Sequence, residues 1–133
     1  MNRSTASKGV FSVMEAGNWG QATLLEVRTR RSPTGLAIVA PSGELDISNE
    51  DRLRHTIESL QPQVEHLVID LTRLVFMGTV GLQLLDETWQ RAQSRHTRLT
   101  VVAREDGEVR HLLEISGFDK TLEVVGEARQ IAS

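Results

Sequence analysis

Hydrophobic residues occur in short runs whose spacing alternates between that of strands and that of helices. Residues 24–30 alternate apolar and polar positions, which is typical of a strand near a sheet edge with one polar face. Residues 36–40, 68–71 and 99–103 are apolar on both faces, as strands in the centre of a sheet should be. Residues 122–125 are predicted to form a last, short strand.

Helical spacing appears between these strands. Leu53, Ile57 and Leu60 recur at the helical period, and we predict Ser48 as the N-cap of this helix. Asp51 stands three residues later, where a capping box places its second member. The pattern therefore predicts a first helix that begins just after Ser48.

Three further helical segments follow. Residues 79–95 carry a broad apolar stripe and are predicted to form one long helix. Asp106 is predicted to cap the next helix, and Gly117 stands where a left-handed residue would end it. Residues 127–132 are predicted to form a final helical turn.

The predicted order, β-β-α-β-α-β-α-β-α, defines a fold class. A hairpin followed by alternating strands and helices predicts an α/β fold with a mixed, mostly parallel sheet of four to five strands. About four helices would pack on that sheet. We predict residues 23–133 as the domain and residues 1–22 as a flexible tail with a short strand at residues 10–14.

Composition narrows the classes of function. The chain has no cysteine, which excludes disulfides and thiolate metal sites. No apolar stretch is long enough for a signal peptide or a membrane helix, so we predict a cytoplasmic protein with no membrane partner. Net charge is −3, and residues 35–133 hold ten basic and sixteen acidic residues, which argues against direct nucleic-acid binding.

Candidate chemistry is sparse. The histidines, at positions 55, 66, 96 and 111, show no metal-ligand spacing, and no nucleophile-elbow or phosphate-loop motif is present. We therefore predict no catalytic residue, no metal site and no cofactor, and expect a binding protein and not an enzyme.

The start of the predicted helix over residues 79–95 is the most informative place in the chain. A buried strand ends at Asp70, a predicted loop carries Phe76 and Met77, and the helix begins at Gly78-Thr79. A hydroxyl at a helix N-terminus can cap the helix or carry a phosphate that the helix dipole stabilises. Physics alone favours capping by Thr79, because nearly every helix needs a cap.

Three segments, in this order on the predicted β/α pattern, carry a family resemblance. They are GELD at residues 43–46, the stretch from Asp70-Leu71-Thr72 to Gly81-Leu82, and LLEISGF at residues 112–118. With them the chain resembles the STAS family, the domain of anti-sigma factor antagonists, over about residues 24–130.

The resemblance implies a function. Proteins of this kind bind an anti-sigma factor, often a histidine-kinase-like ATPase, and so free a sigma factor until phosphorylation ends the binding. Thr79 falls on the position of the phosphorylated serine, whereas the family's preceding Asp and following hydroxyl are Gly78 and Val80 here. A phosphorylation-independent docking module in a stressosome-like or transport-associated assembly stays open, as does a weak homodimer.

The predicted partner-binding surface combines two loops. In the family's topology the carboxyl ends of neighbouring strands lie together, and both loops follow such strands. Gly78 and Val80 should form a modest apolar patch with Met77. The residues predicted to bind the partner are Asp46, Ser48, Asn49, Met77, Gly78, Thr79, Val80, Gly81 and Leu82.

Overall fold

The computed structural model describes residues 24–131, which form one mixed sheet with helices. The predicted tail at residues 1–22, with its short strand, lies outside the described residues. The described residues form six strands, where four to five were predicted: β1 Leu25–Ser32, β2 Leu36–Leu45, β3 His66–Asp70, β4 Arg73–Met77, β5 Arg98–Val102 and β6 Glu123–Val125.

Within residues 24–131 the sheet is accompanied by three α-helices, where about four were predicted. They are α1 Glu50–Leu60, α2 Thr79–Arg95 and α3 Glu108–Ser116, and α2 has the predicted bounds. The predicted final helical turn is a 3-10 turn at Ala128–Gln130, and two more 3-10 turns follow α1 and α3, at Gln61–Gln63 and Phe118–Lys120. No helix within the described part of the chain is long and apolar enough to cross a membrane.

The strand order is β1-β2-β3-β5-β6, with β4 beside β2. Among the strands of residues 24–131, β1 and β2 are antiparallel and the other pairs are parallel. The α/β class, the edge position of β1 and the central positions of β2, β3 and β5 are therefore confirmed.

Strand β2 is long enough to serve two neighbours along one side. Leu36–Val39 pair with β3, and Ser42–Leu45 pair with β4. The prediction of a loop over Phe76 and Met77 is therefore wrong, because both residues belong to β4. Within the pairing with β4 the register shifts between Gly43 and Glu44, and Gly43 has a φ of +101°. A Cβ on Gly43 would lie 2.3 Å from the Leu24 carbonyl oxygen, so only glycine fits there.

The core lies where the apolar stripes of the helices meet alternate residues of the central strands. Because side chains on a strand alternate between faces, every second residue of β2, β3 and β5 enters this core. Its fully buried members include Leu53 and Ile57 from α1, Leu84 from α2, Leu113 from α3, and Val39, Ile69 and Val101 from the sheet.

Two of the predicted helix caps are wrong by one residue. Asn49 and not Ser48 is the N-cap of α1, because the Ser48 hydroxyl donates to Asp46 Oδ1 instead. Gly107 and not Asp106 is the N-cap of α3. The predicted end of α3 is confirmed, since Gly117 is left-handed with φ +82°.

Candidate functional site

The carboxyl ends of β2 and β4 lie side by side and bring the two predicted loops together. Leu45 and Met77 are paired in the parallel register, and the Gly78 amide donates to the Leu45 carbonyl over 2.9 Å. We call residues 46–49 and 76–82, which meet here, the carboxyl-end site.

The turn over residues 46–49 is held by its own polar side chains. Asp46 Oδ1 accepts hydrogen bonds from the Ser48 amide at 2.9 Å and the Ser48 hydroxyl at 2.6 Å. Asn49 is buried, its Oδ1 accepts from the Asp46 amide at 3.1 Å, and its Nδ2 donates to the Glu44 carbonyl at 2.9 Å. The three polar residues predicted to bind a partner are thus engaged within the turn, and Ile47 between them is 83% exposed.

Thr79 is the first residue of α2 and is exposed. Gly78 is the N-cap, and no side-chain cap hydrogen bond is present at this helix end, so the interpretation of Thr79 as a cap is wrong. The Gly81 amide donates to the carbonyl of the N-cap Gly78 at 2.9 Å, and no acidic residue lies in the first turn of α2. The Thr79 hydroxyl therefore stands free of a structural role, at the positive end of a 17-residue helix.

The two glycines of this segment differ in what they require. A Cβ on Gly81 would lie 2.4 Å from Met77 Cγ, so the close packing of α2 on β4 depends on Gly81. A Cβ on Gly78 would make ordinary contacts of 3.6 Å to the Leu45 oxygen and 3.7 Å to the Phe76 ring. Packing thus explains Gly81, whereas nothing in the packing excludes a side chain at position 78.

Burial corrects the predicted apolar patch. Met77 is only 6% exposed and packs against Gly81, so it adds almost nothing to the surface. Gly81 is buried, and Leu82 is partly buried against the core. Gly78 and Val80 are half-buried, which leaves Thr79 as the most exposed residue of the helix start.

Sequence reasoning missed the large apolar side chains that are exposed around this site. Within residues 24–131 they are Leu24, Ile47, Val75, Phe76 and Ile115. Leu24 lies beside Glu44, whose amide donates to its carbonyl, and Ile115 lines a groove of about 320 Å³ with Phe76 between α3 and β4. An isoleucine between Asp46 and Ser48 was a signal, because an apolar residue in a polar turn has no core to enter.

The opposite end of the sheet, where β3, β5 and β6 begin, has a different character. Arg98 donates to both carboxylate oxygens of Glu123, at 3.0 and 2.6 Å, and the buried Thr100 hydroxyl donates to Glu123 at 3.0 Å. His66 Nε2 lies 2.8 Å from Thr100 Oγ1. Burial, and then the Arg98 charge, lower the pKa of His66, and the Arg98 hydrogen bond lowers the pKa of Glu123. We call these four residues the polar network.

The described residues offer no obvious metal chemistry. No group of three or more His, Cys, Asp or Glu side chains within residues 24–131 is placed to hold a metal ion.

Asp70, which ends β3, accepts from the amide and hydroxyl of Thr72 at 3.0 and 2.7 Å and so holds the turn into β4.

The family of the chain follows from its sequence. The model of the STAS domain family matches residues 26–129, and the chain belongs to this family. The resemblance noted on three sequence segments is confirmed.

Relatives and solved structures agree with this assignment. The chain is 35% identical over 89 residues to the anti-sigma-F factor antagonist RsfB of Mycobacterium tuberculosis, covering 65% of this chain and 70% of that protein. An anti-sigma factor antagonist from Mycobacterium paratuberculosis superposes with a TM-score of 0.72 at 28% identity, over 79% of this chain and 88% of that one.

A more distant structure shares the fold. The anti-sigma factor antagonist SpoIIAA in its unphosphorylated form superposes with a TM-score of 0.64 at 18% identity, over 80% of this chain and 99% of that one. The Bacillus protein SpoIIAA has also been solved in a phosphorylated form, which superposes with a TM-score of 0.59 at 18% identity over 77% of this chain and 94% of that one.

Proposed function

We propose that the chain is an anti-sigma factor antagonist that binds an anti-sigma factor through the carboxyl-end site and thereby frees a sigma factor. The observation that carries the proposal is that Thr79 is exposed and its hydroxyl does not cap α2. Exposed apolar side chains lie near it. It occurs in a STAS chain whose relatives are named as anti-sigma factor antagonists.

The binding step draws on apolar contact. Ile47 and Phe76 flank the helix start, Ile47 on the braced turn and Phe76 against Gly78. Transfer of such side chains from water into a protein interface is favourable, and aromatic residues are enriched in interface cores. The partner would cover this end of the sheet and place Thr79 within the contact.

Phosphorylation of Thr79 would end the binding. A phosphate adds about −1.5 to −2 charges at neutral pH and three strong acceptor oxygens. The dipole of α2 would stabilise that group in the isolated protein, and the first turn adds no acidic residue to repel it. In the complex the same charge would be buried against apolar surface, which is strongly unfavourable.

The chemistry of that step belongs to the partner. A histidine-kinase-like ATPase would transfer the γ-phosphoryl group of ATP to Thr79 Oγ, which loses its proton, while ADP leaves. The chain itself would act as substrate and binding protein, and it would work in the cytoplasm, where sigma factors act.

A phosphorylation-independent docking module is the second candidate function. Gly78 and Val80 favour it, because they replace the family's carboxylate and hydroxyl beside the acceptor position with a bare backbone and a half-buried apolar side chain. Such a module would bind equally well with and without phosphate on Thr79.

Release of the sigma factor tests the proposal. The purified chain is added to a preformed complex of sigma factor and anti-sigma factor from the same genome, and free sigma factor is measured. Unmodified protein should release it, and protein carrying phosphothreonine at position 79 should not. Release by neither form would contradict the function, and equal release by both would favour the phosphorylation-independent module.

A further inference from the structure

We propose that Ile47 is the apolar anchor of the anti-sigma factor interface, and that Asp46, Ser48 and Asn49 position it without touching the partner. This inference rests on the proposed function. It reassigns the turn, since the polar residues that sequence analysis predicted to bind the partner become the support of the residue between them.

The hydrogen bonds of the turn carry the first step. In the Asn49 side chain, Oδ1 accepts from the Asp46 backbone amide and Nδ2 donates to the Glu44 backbone carbonyl. Asp46 Oδ1 binds Ser48 twice, and the Asp46 carbonyl accepts from the Glu50 amide at 3.0 Å as α1 begins. A turn that is hydrogen-bonded on both sides holds the backbone at Ile47 in place.

Exposure carries the second step. Ile47 is 83% exposed, the largest value among the large apolar side chains within residues 24–131 that are exposed. Single exposed apolar residues are common on protein surfaces and need no explanation by themselves. Here the residue stands on a hydrogen-bonded turn, two positions after Leu45, whose carbonyl accepts from the amide of Gly78, the neighbour of Thr79 in the chain.

The shape of the side chain indicates what it meets. A branched aliphatic side chain held clear of its own protein fits an apolar cavity on the anti-sigma factor. Because the turn is already ordered, binding loses little conformational entropy, and preorganised residues of this kind contribute most to affinity. A phosphate on Thr79 would act at the edge of that contact.

Affinity of purified variants for the anti-sigma factors of the same genome tests the inference by calorimetry. Ile47→Ala should weaken binding at least tenfold, about 1.4 kcal/mol, with the thermal midpoint of unfolding unchanged. Ile47→Val should retain most of the affinity. The control is Thr34→Ala, at an exposed position of the β1–β2 turn, which leads into β2 at the opposite end of the sheet. It should bind within about twofold of the wild type.

A double-mutant cycle tests the positioning role. Asn49→Ala should weaken binding, and combining it with Ile47→Ala should add little, because the brace acts only through the anchor. Additive losses would overturn the positioning role. Binding by Ile47→Ala within twofold of the wild type, or an equal loss in the control Thr34→Ala, would contradict the role of Ile47 as the anchor. If no anti-sigma factor binds the wild type, both the anchor and the proposed function fail.

Discussion

The two ends of the sheet differ in whether their side chains bond to one another or remain exposed to water. At the ends where β3, β5 and β6 begin, Arg98, Glu123, Thr100 and His66 bond to one another. At the carboxyl ends of β2 and β4, large apolar side chains remain exposed and the Thr79 hydroxyl has no capping role. Side chains that pair within the chain stabilise the fold, whereas apolar side chains left in water gain from a partner.

Position in the sequence therefore does not separate structural from functional residues. What separates them is whether a side chain bonds within the chain or remains exposed to water. The polar residues of the turn at residues 46–49 resemble a binding motif, yet their hydrogen bonds are internal. The comparison predicts that substitutions at the polar network change stability, and that exposed positions of the carboxyl-end site change binding.

Gly43 is the exception to this division, because it lies near the carboxyl end of β2 and yet we expect its substitution to change stability. Gly43→Ala should destabilise the protein by about 2–4 kcal/mol, since the new Cβ would collide with the Leu24 carbonyl and φ is positive. Urea unfolding measures this. Gly78→Ala, whose Cβ meets only ordinary contacts, is the control and should cost less than about 1 kcal/mol. Similar losses of stability in the two variants would show that the collision at position 43 does not cause the destabilisation.

Thr79→Asp should lower affinity for the anti-sigma factor at least tenfold, about 1.4 kcal/mol. Its stability should stay within about 0.5 kcal/mol of the wild type, because an exposed carboxylate suits the N-terminus of α2. Thr79→Ala should bind normally and resist the kinase. Thr34→Asp, the same change at an exposed position in the β1–β2 turn, should leave binding unchanged. A loss below twofold in Thr79→Asp would argue against a charge-sensitive contact.

Arg98→Ala should reduce stability by about 0.2–1 kcal/mol, because it removes a partly exposed pair with two hydrogen bonds to Glu123. Binding of the anti-sigma factor should not change, since Arg98 lies at the opposite end of the sheet. Chemical unfolding and calorimetry on the same preparation separate the two quantities. Weaker binding by Arg98→Ala would break the division between the two ends.

The smallest effect is a loss of stability on acidification. The pKa of His66 is lowered from 6.5, mainly by burial, so the unfolded chain takes up the proton first and stability falls as pH drops below about 6.5. The pKa of Glu123 is lowered from 4.5 by Arg98, so its contribution is present above that value and is lost as pH falls through the lower folded pKa.

Unfolding curves at several pH values check the order of these steps. His66→Gln should flatten the part of the profile just below pH 6.5 and change the acidic part only slightly, because the Arg98 hydrogen bond, and not the smaller contribution of the His66 charge, is the main cause of the lowered pKa of Glu123. An unaltered profile in His66→Gln would show that another group titrates there.

Sequence predicted the parts of the fold that repeat. The central strands are apolar on both faces, and α2 has a regular stripe, so local pattern decides both. Strand β4 was missed because its exposed Val75 and Phe76 are adjacent and break the alternation expected of a strand. Its pairing depends on the length of β2 and on the register shift at Gly43, which no local pattern reveals.

The sequence predicted where the candidate site lies but not the structural roles of its individual residues. The two loops meet as the parallel topology requires, and Thr79 is exposed. Burial of Met77 and the choice of Asn49 and Gly78 as caps depend on tertiary contacts and on competing hydrogen bonds. Sequence pattern alone does not rank those competitors.

Amide chemical-shift mapping with a bound anti-sigma factor tests the central claim most directly. The account predicts that the largest shifts fall on residues 46–49 and 76–82, with Ile47 and Thr79 among them, and that residues 66, 98 and 123 stay unchanged. Shifts centred on the polar network, with residues 46–49 and 76–82 unaffected, would contradict the account.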